Sequence, residues 1–165
     1  MKFLLLCLLA FIVIPIKADG VKIGYIDTEL VLNNFSLFQQ ENIELSKEFE
    51  TKKKELLNLF NHIEILRKNL PEVANTSSSE IYRQKIINLT ELEESFKFET
   101  EKFQSSMNNK KIKILLKMEK IINSAIKKLA IDEKYDLILY ENAAFVSDQL
   151  DISNIILLKI EKKSK

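Results

Sequence analysis

The chain has 165 residues, with 25 basic and 24 acidic side chains and a formal net charge of +1. This balance gives no electrostatic argument for nucleic-acid binding, which depends on an excess of Lys and Arg. Two glycines and two prolines favour few, long elements over a many-stranded β fold. A single cysteine and a single histidine are too few for a typical zinc site.

The N-terminus has the pattern of a signal peptide. A short positive start, Met1-Lys2, precedes an apolar run from Phe3 to Ile14, and Ala18 offers the small residue that a signal peptidase needs. We expect residues 1–18 to be cleaved, although a retained anchor helix is the alternative. Cleavage removes the only cysteine, and the loss of two lysines leaves 23 basic against 24 acidic residues, a net charge of −1.

The segment after the signal predicts a strand followed by a short helix. Residues Val21–Ile26 alternate and are rich in β-forming side chains. Asp27 is expected to cap a helix that ends near Phe35, because its carboxylate can accept the free backbone N–H groups of the first turn.

A long amphipathic helix is predicted over residues 36–70. Its apolar residues are spaced by 4, 7, 4 and 3 positions and so share one face: Leu45, Phe49, Leu56, Phe60 and Ile63. Pro71 is expected to end the helix, because proline lacks the N–H donor and disfavours helical geometry in the residue before it. Residues 75–79 are polar and turn-like, with Ser79 as the expected cap of the next helix.

A second long helix is predicted to run to about Ala130. Apolar residues recur in heptads, one of which is interrupted by a lysine: Phe96, Phe103 and Lys110, then Met107, Ile114 and Ile121. The two helices should form an antiparallel hairpin, an arm of about 50 Å.

The C-terminal segment predicts further β structure and a last helix. Tyr135–Tyr140 and Ala143–Val146 have the composition of two strands. Asp151 or Ser153 could cap the final helix. The expected fold class is therefore α+β, mostly α. A hairpin arm (36–130, tip near 70–79) projects from a small β body (19–35 and 131–165). Such a small sheet needs partners, which predicts oligomerisation.

The residues at both ends of the hairpin resemble a known family. Lys22–Asp27, the Leu30–Leu32 helix, the long hairpin, Tyr135–Leu139 and Asp151–Ser153 together look like the Skp/OmpH periplasmic chaperones. The resemblance implies a homotrimer joined by its β body, with three arms around a cavity. There, unfolded outer-membrane proteins would be held without ATP before they reach the membrane.

This resemblance makes an ATP-independent periplasmic holdase our leading hypothesis. The alternative is a structural coiled-coil protein of the envelope that bridges folded partners. The chain carries no Gly-rich phosphate loop and no reactive constellation, so we expect neither an enzyme nor a cofactor or metal site. The sole histidine, His62, is read as ordinary surface.

Charge segregation suggests where a client could bind. Residues 102–128 contain eight lysines against Glu119 alone, which indicates either a solvated helix face or a basic cavity lining. Phe98 lies off the Phe96/Phe103 stripe and is expected to be exposed. The candidate client-contacting residues are Phe98, Lys110, Lys111, Lys113 and Lys117. The resemblance also implies contact with lipopolysaccharide or anionic lipids, because family members are typically strongly basic. The near-neutral charge balance of this chain puts that contact in doubt.

Overall fold

The computed structural model describes residues 20–140 and 143–164, so the predicted signal peptide lies outside the described residues. The elements in chain order are β1 (Ile23–Ile26), α1 (Thr28–Asn34), α2 (Ser36–Thr76), α3 (Ser79–Asp132), β2 (Leu137–Tyr140) and α4 (Ser153–Ser164). Within the described part of the chain, no helix is long and apolar enough to cross a membrane.

The junction between β1 and α1 follows the sequence prediction. The Asp27 carboxylate accepts a hydrogen bond from the backbone N–H of Leu30 at 2.8 Å, which caps α1. Phe35 ends α1 in an extended conformation and is fully buried. It therefore anchors the start of the arm in the body.

The arm is longer than the sequence indicated, because α2 continues through Pro71 to Thr76. The prediction that Pro71 ends the helix was therefore wrong. One missing backbone donor is tolerated there, since the ring is exposed and α2 is packed along α3. The cap of α3 is Ser78 rather than Ser79, its hydroxyl accepting from the N–H of Ile81 at 3.5 Å. Helices of 41 and 54 residues span about 60 and 80 Å.

The two arm helices pack through a thin apolar seam. Leu45, Leu56 and Ile63 of α2 are buried, as the spacing predicted, together with Leu89 of α3. Two aromatic pairs cross the seam, Phe49 with Phe103 at 5.5 Å and Phe60 with Phe96 at 5.8 Å between ring centroids. The later residue on α2, Phe60, pairs with the earlier residue on α3, Phe96, so the two helices are antiparallel. The hairpin turns at Ser77–Ser78.

The body contains a two-stranded parallel sheet. β1 pairs with β2 in the register Ile23↔Leu137 to Ile26↔Tyr140. The predicted strand at Ala143–Val146 was wrong, since these described residues form none. The segment after it borders the other edge of β1 instead. The N–H of Tyr25 donates to the Leu150 carbonyl at 2.7 Å, and the N–H of Ile152 donates to the Tyr25 carbonyl at 2.9 Å.

The hydrophobic core joins the body to the lower arm. Nine buried residues from β1, α1, α3, α4 and the segments around them form it: Ile26, Val31, Phe35, Met118, Ile122, Leu129, Ile152, Ile156 and Ile160.

Hydrogen bonds of Ser153 with Asp27 and Asp151, which we call the latch, also tie α4 to the end of β1. The buried Ser153 hydroxyl accepts from the N–H of Asp27 at 2.8 Å, while Asp151 accepts from the Ser153 N–H at 2.8 Å and so caps α4. The base of α3 is thus held rigidly in the body.

Candidate functional site

One flank of the arm is closed by ion pairs between its helices. Glu41 of α2 pairs with Lys117 of α3, and one heptad further along, Glu48 pairs with Lys110 at 2.5 Å. Lys52 and Glu99 form a third pair at 2.7 Å. We call this side the ion-pair flank. Because the side chains are solvent-exposed in part, each pair adds little stability and mainly fixes the helix register.

The charge state of the third pair follows from its hydrogen bond. The bond from Lys52 lowers the pKa of the Glu99 carboxyl below its ordinary value, and the nearby positive charge acts in the same direction. Conversely, the bond to Glu99 raises the pKa of the Lys52 ammonium. Both groups therefore stay charged at neutral pH, and the ion-pair flank is polar throughout.

The opposite flank of the arm carries an open groove of about 800 Å³. Positions on α2 rotate by about 100° per residue, so Glu48 and Lys52 lie to one side of Phe49, and Ser46 and Glu50 to the other. We call this feature the arm groove; its lining residues are Asn42, Ile43, Leu45, Ser46, Lys47, Phe49, Glu50, Lys53, Phe103, Met107 and Lys111.

The chemistry of the arm groove suits an apolar chain segment. Its floor consists of seam residues, including Phe49, Phe103 and Met107, and Ile43 stands at its rim with 56% of its surface exposed. Charged side chains, mostly lysines, surround this floor. An extended segment could therefore bury apolar side chains against the seam while its backbone stays in contact with water.

The residues proposed from the sequence fall on three different surfaces. Phe98 is 63% exposed and points away from the seam, as expected. Lys110 and Lys117 belong to the ion-pair flank, whereas Lys111 lines the arm groove. Lys113 is exposed on the outer face of α3. The structure does not bring these five side chains into one site, and their contact with a client stays a prediction.

Sequence reasoning missed the arm groove itself. It assigned Phe49 and Phe103 to seam packing, and the structure shows that they both pack together and line the groove. Ile43 carried no usable signal, because it lies off the apolar stripe. Which flank of a helix pair opens depends on how the two axes diverge, and the heptad spacing of one chain does not encode that.

The arm also presents apolar side chains outside the groove. Large residues with at least a third of their surface exposed occur along both helices: Leu57, Phe60, Ile65, Ile81, Ile86, Ile87, Ile112, Leu115 and Leu116. Apolar residues scattered singly over a surface are normal, whereas a contiguous apolar surface marks a binding site, so the arm groove is the stronger candidate. Among the described residues, no group of His, Cys, Asp and Glu side chains could hold a metal ion.

Comparison with known proteins gives this architecture a family. The model of the family described as outer membrane protein (OmpH-like) matches residues 22–160. The chain belongs to the OmpH-like family. This membership confirms the resemblance stated from the sequence. An OmpH-like candidate outer membrane chaperone from Caulobacter crescentus has a crystal structure with the same fold. The TM-score is 0.73 at 12% identity, over 87% of this chain and 86% of that one. No match was found among curated proteins.

Proposed function

We propose that this OmpH-like protein is an ATP-independent periplasmic holdase that binds unfolded outer-membrane β-barrel proteins. Family membership supports a chaperone role in general. The observation that carries the finer proposal is the arm itself, a hairpin that buries a thin seam and leaves an apolar-floored groove of about 800 Å³ open on one flank. We also infer that residues 1–18 direct export and are cleaved near Ala18.

Holding an unfolded barrel is a physical problem that such an arm can address. Unfolded barrel strands expose apolar side chains and unpaired backbone edges, which aggregate in water. Several arms around one client offer many weak contacts whose effects combine through effective concentration. Nucleotide hydrolysis is unnecessary, because the client gains more free energy by folding into the membrane than by staying bound.

The proposal includes a homotrimer that assembles through the body. In the described residues, β1 borders chain on both edges, while the outer edge of β2 has no partner strand. Leu137, Leu139 and Tyr140 of β2 are exposed, and Phe145 after it is 85% exposed. Apolar residues on an open strand edge favour association with other copies. Assembly at the body would leave the arms free to surround a client.

The five candidate residues on α3 would not contribute equally to client contact. Phe98 and Lys113 are exposed, and Lys111 stands at the arm groove, so these three can meet a client directly. Lys110 and Lys117 would first have to leave their glutamate partners. We therefore expect the aromatic ring and the groove to contribute more than the paired lysines.

An aggregation assay tests the proposal. Mature protein should suppress light scattering when a urea-unfolded outer-membrane barrel is diluted into buffer. Absence of suppression at about threefold molar excess of trimer would reject holding, since aggregation then outruns binding. Stable complexes with folded envelope proteins in the same preparation would favour the structural coiled-coil alternative.

A matched pair of variants tests the arm groove. Ile43 and Leu57 are each 56% exposed on α2 and lie two heptads apart, but only Ile43 lines the groove. Replacing the half-exposed Ile43 by Gln should weaken client binding about fivefold, from roughly 1 kcal/mol of lost apolar burial. Leu57→Gln is the control and should bind as the parent protein does. Equal losses in both variants would mean that general apolar exposure, not the groove, holds the client.

A further inference from the structure

A second groove lies where the lower arm meets the body. Its volume is about 390 Å³, and it combines apolar walls with two acidic side chains. We call it the acidic groove; its lining residues are Thr28, Glu29, Leu32, Leu115, Glu119, Ile122, Asn123 and Tyr140. Leu115 and Tyr140 are substantially exposed there, so apolar surface lies open beside the two carboxylates.

The two carboxylates of the acidic groove have no cationic partner within the described residues. Neither Glu29 nor Glu119 takes part in any ion pair formed by residues 20–140 and 143–164. Helical neighbours cannot supply one to Glu119, because the positions three and four residues away are Leu115, Leu116, Ile122 and Asn123. Glu119, the one acid among the lysines of the lower arm, is thus without a cationic partner in the part of the chain that the structure describes.

A surface of opposite charge lies on α4. Lys159, Lys162 and Lys163 border a smaller groove of about 260 Å³, and none of them is ion-paired within the described chain. Two apolar side chains share the outer side of this helix, Ile155 at 44% and Leu158 at 63% exposure. We call these five residues the basic face.

The acidic groove and the grooved side of the basic face lie on opposite flanks of α3. At about 100° per residue, Leu115, Glu119 and Ile122 cluster on one side of the helix. Ile121 and Ala125, which border the lysine groove, fall roughly on the other side. The two surfaces therefore face apart and cannot meet within one chain. They can meet only between copies, and a head-to-tail contact of this kind forms a ring when its rotation closes.

We propose that the basic face of one copy docks into the acidic groove of the next copy in a closed ring. Charge complementarity identifies the occupant: two unpaired glutamates match unpaired lysines, and Leu115 and Tyr140 match Ile155 and Leu158. The position supports it as well, since Tyr140 ends β2, the strand with the open edge. Apolar burial supplies affinity, while the charges fix the direction and register of docking.

This inference rests on the assembly part of the proposed function and specifies its interface. It does not depend on client binding, so the two can fail separately. Sedimentation equilibrium of the mature protein without client measures assembly alone, whereas light scattering measures holding alone. Assembly with the expected charge dependence but without suppression of aggregation would reject the holdase and leave the interface standing.

The experiment is a charge exchange between the two surfaces. Glu119→Lys and Lys162→Glu should each weaken assembly about tenfold or more, since each places like charges together. The double variant restores opposite charges and should recover most of the loss. Glu94→Lys and Lys97→Glu are the controls. Both residues are exposed on α3 outside the two surfaces, and neither variant should alter assembly. Circular dichroism verifies that every variant keeps its helix content.

Three results would overturn the interface. The first is a parent protein that stays monomeric at all concentrations. The second is assembly that neither single variant changes. If Lys162→Glu leaves assembly unchanged and abolishes binding to vesicles of anionic phospholipid, the basic face binds a membrane surface instead. The third is a double variant as weak as the two single losses combined, which would show that Glu119 and Lys162 act independently.

Discussion

Replacing Ser153 by Ala tests the latch that ties β1 to α4. The side chain is fully buried, and its oxygen accepts the backbone N–H of Asp27 at 2.8 Å and donates to Asp151 at 2.5 Å. In the variant, the backbone N–H of Asp27 loses its acceptor in a partly buried site, which lowers the free energy of unfolding by about 1–3 kcal/mol. Asp151 is exposed, so water replaces its lost bond, and most of the penalty comes from Asp27. We expect a total loss of stability in that range.

Urea unfolding followed by circular dichroism, at one fixed protein concentration, measures this loss. Hydrogen exchange supplies the local readout, because the amide of Asp27 should exchange faster when its acceptor is removed. Asn154→Ala is the control; the neighbouring side chain is exposed, and its removal should change stability by about 0.5 kcal/mol or less. If Ser153→Ala behaved like this control in both measurements, the latch would not hold the body together.

Three further predictions concern the sheet, the ion-pair flank and the arm. Gly24→Ala should destabilise the body by about 1–3 kcal/mol in urea unfolding, because its Cβ would stand 2.9 Å from Cδ1 of the buried Ile152 and 3.0 Å from the Tyr135 ring; unchanged stability would contradict this packing. The Glu99 carboxyl should titrate by NMR below its ordinary pKa of 4.5, and Lys52→Met should raise the midpoint. Its depressed pKa means that the pair's stabilisation is present at neutral pH and is lost as acid protonates the carboxylate; equal midpoints in both proteins would refute the pairing. Pro71→Ala should increase amide protection in the distal arm by restoring a helical hydrogen bond, and unaltered exchange would show that the proline costs nothing there.

Local signals predicted most of the secondary structure. The Asp27 cap, the seam positions Leu45, Leu56 and Ile63, and the exposure of Phe98 all follow from spacing along a single helix. Pro71 shows the limit of such signals. Proline disfavours a helix locally, but packing of α2 along α3 outweighs one lost hydrogen bond, and tertiary packing is invisible in a single segment.

The β body was harder to predict than the arm. Ala143–Val146 has strand composition, but a strand also needs a neighbouring backbone, and the edge of β1 is occupied by residues 150–152 instead. The candidate client-contacting residues were also predicted only in part, because their positions relative to α2 depend on tertiary structure. Lys110, Lys111 and Lys117 are close in sequence, but they do not share one surface. Lys110 and Lys117 are one heptad apart on the ion-pair flank, whereas the rotation of about 100° from Lys110 to Lys111 places Lys111 at the arm groove.

The amino-acid order alone predicted a mostly helical chain with a long hairpin, because periodicity and composition act over a few turns of one segment. Export through residues 1–18 stays a prediction. Only the tertiary structure decided which flank of the arm opens as a groove, which lysines are already paired, and which side chains line the acidic groove beside the body. Those features depend on the relative position of two or more elements distant in sequence, and that position is set by the packing of the shared core.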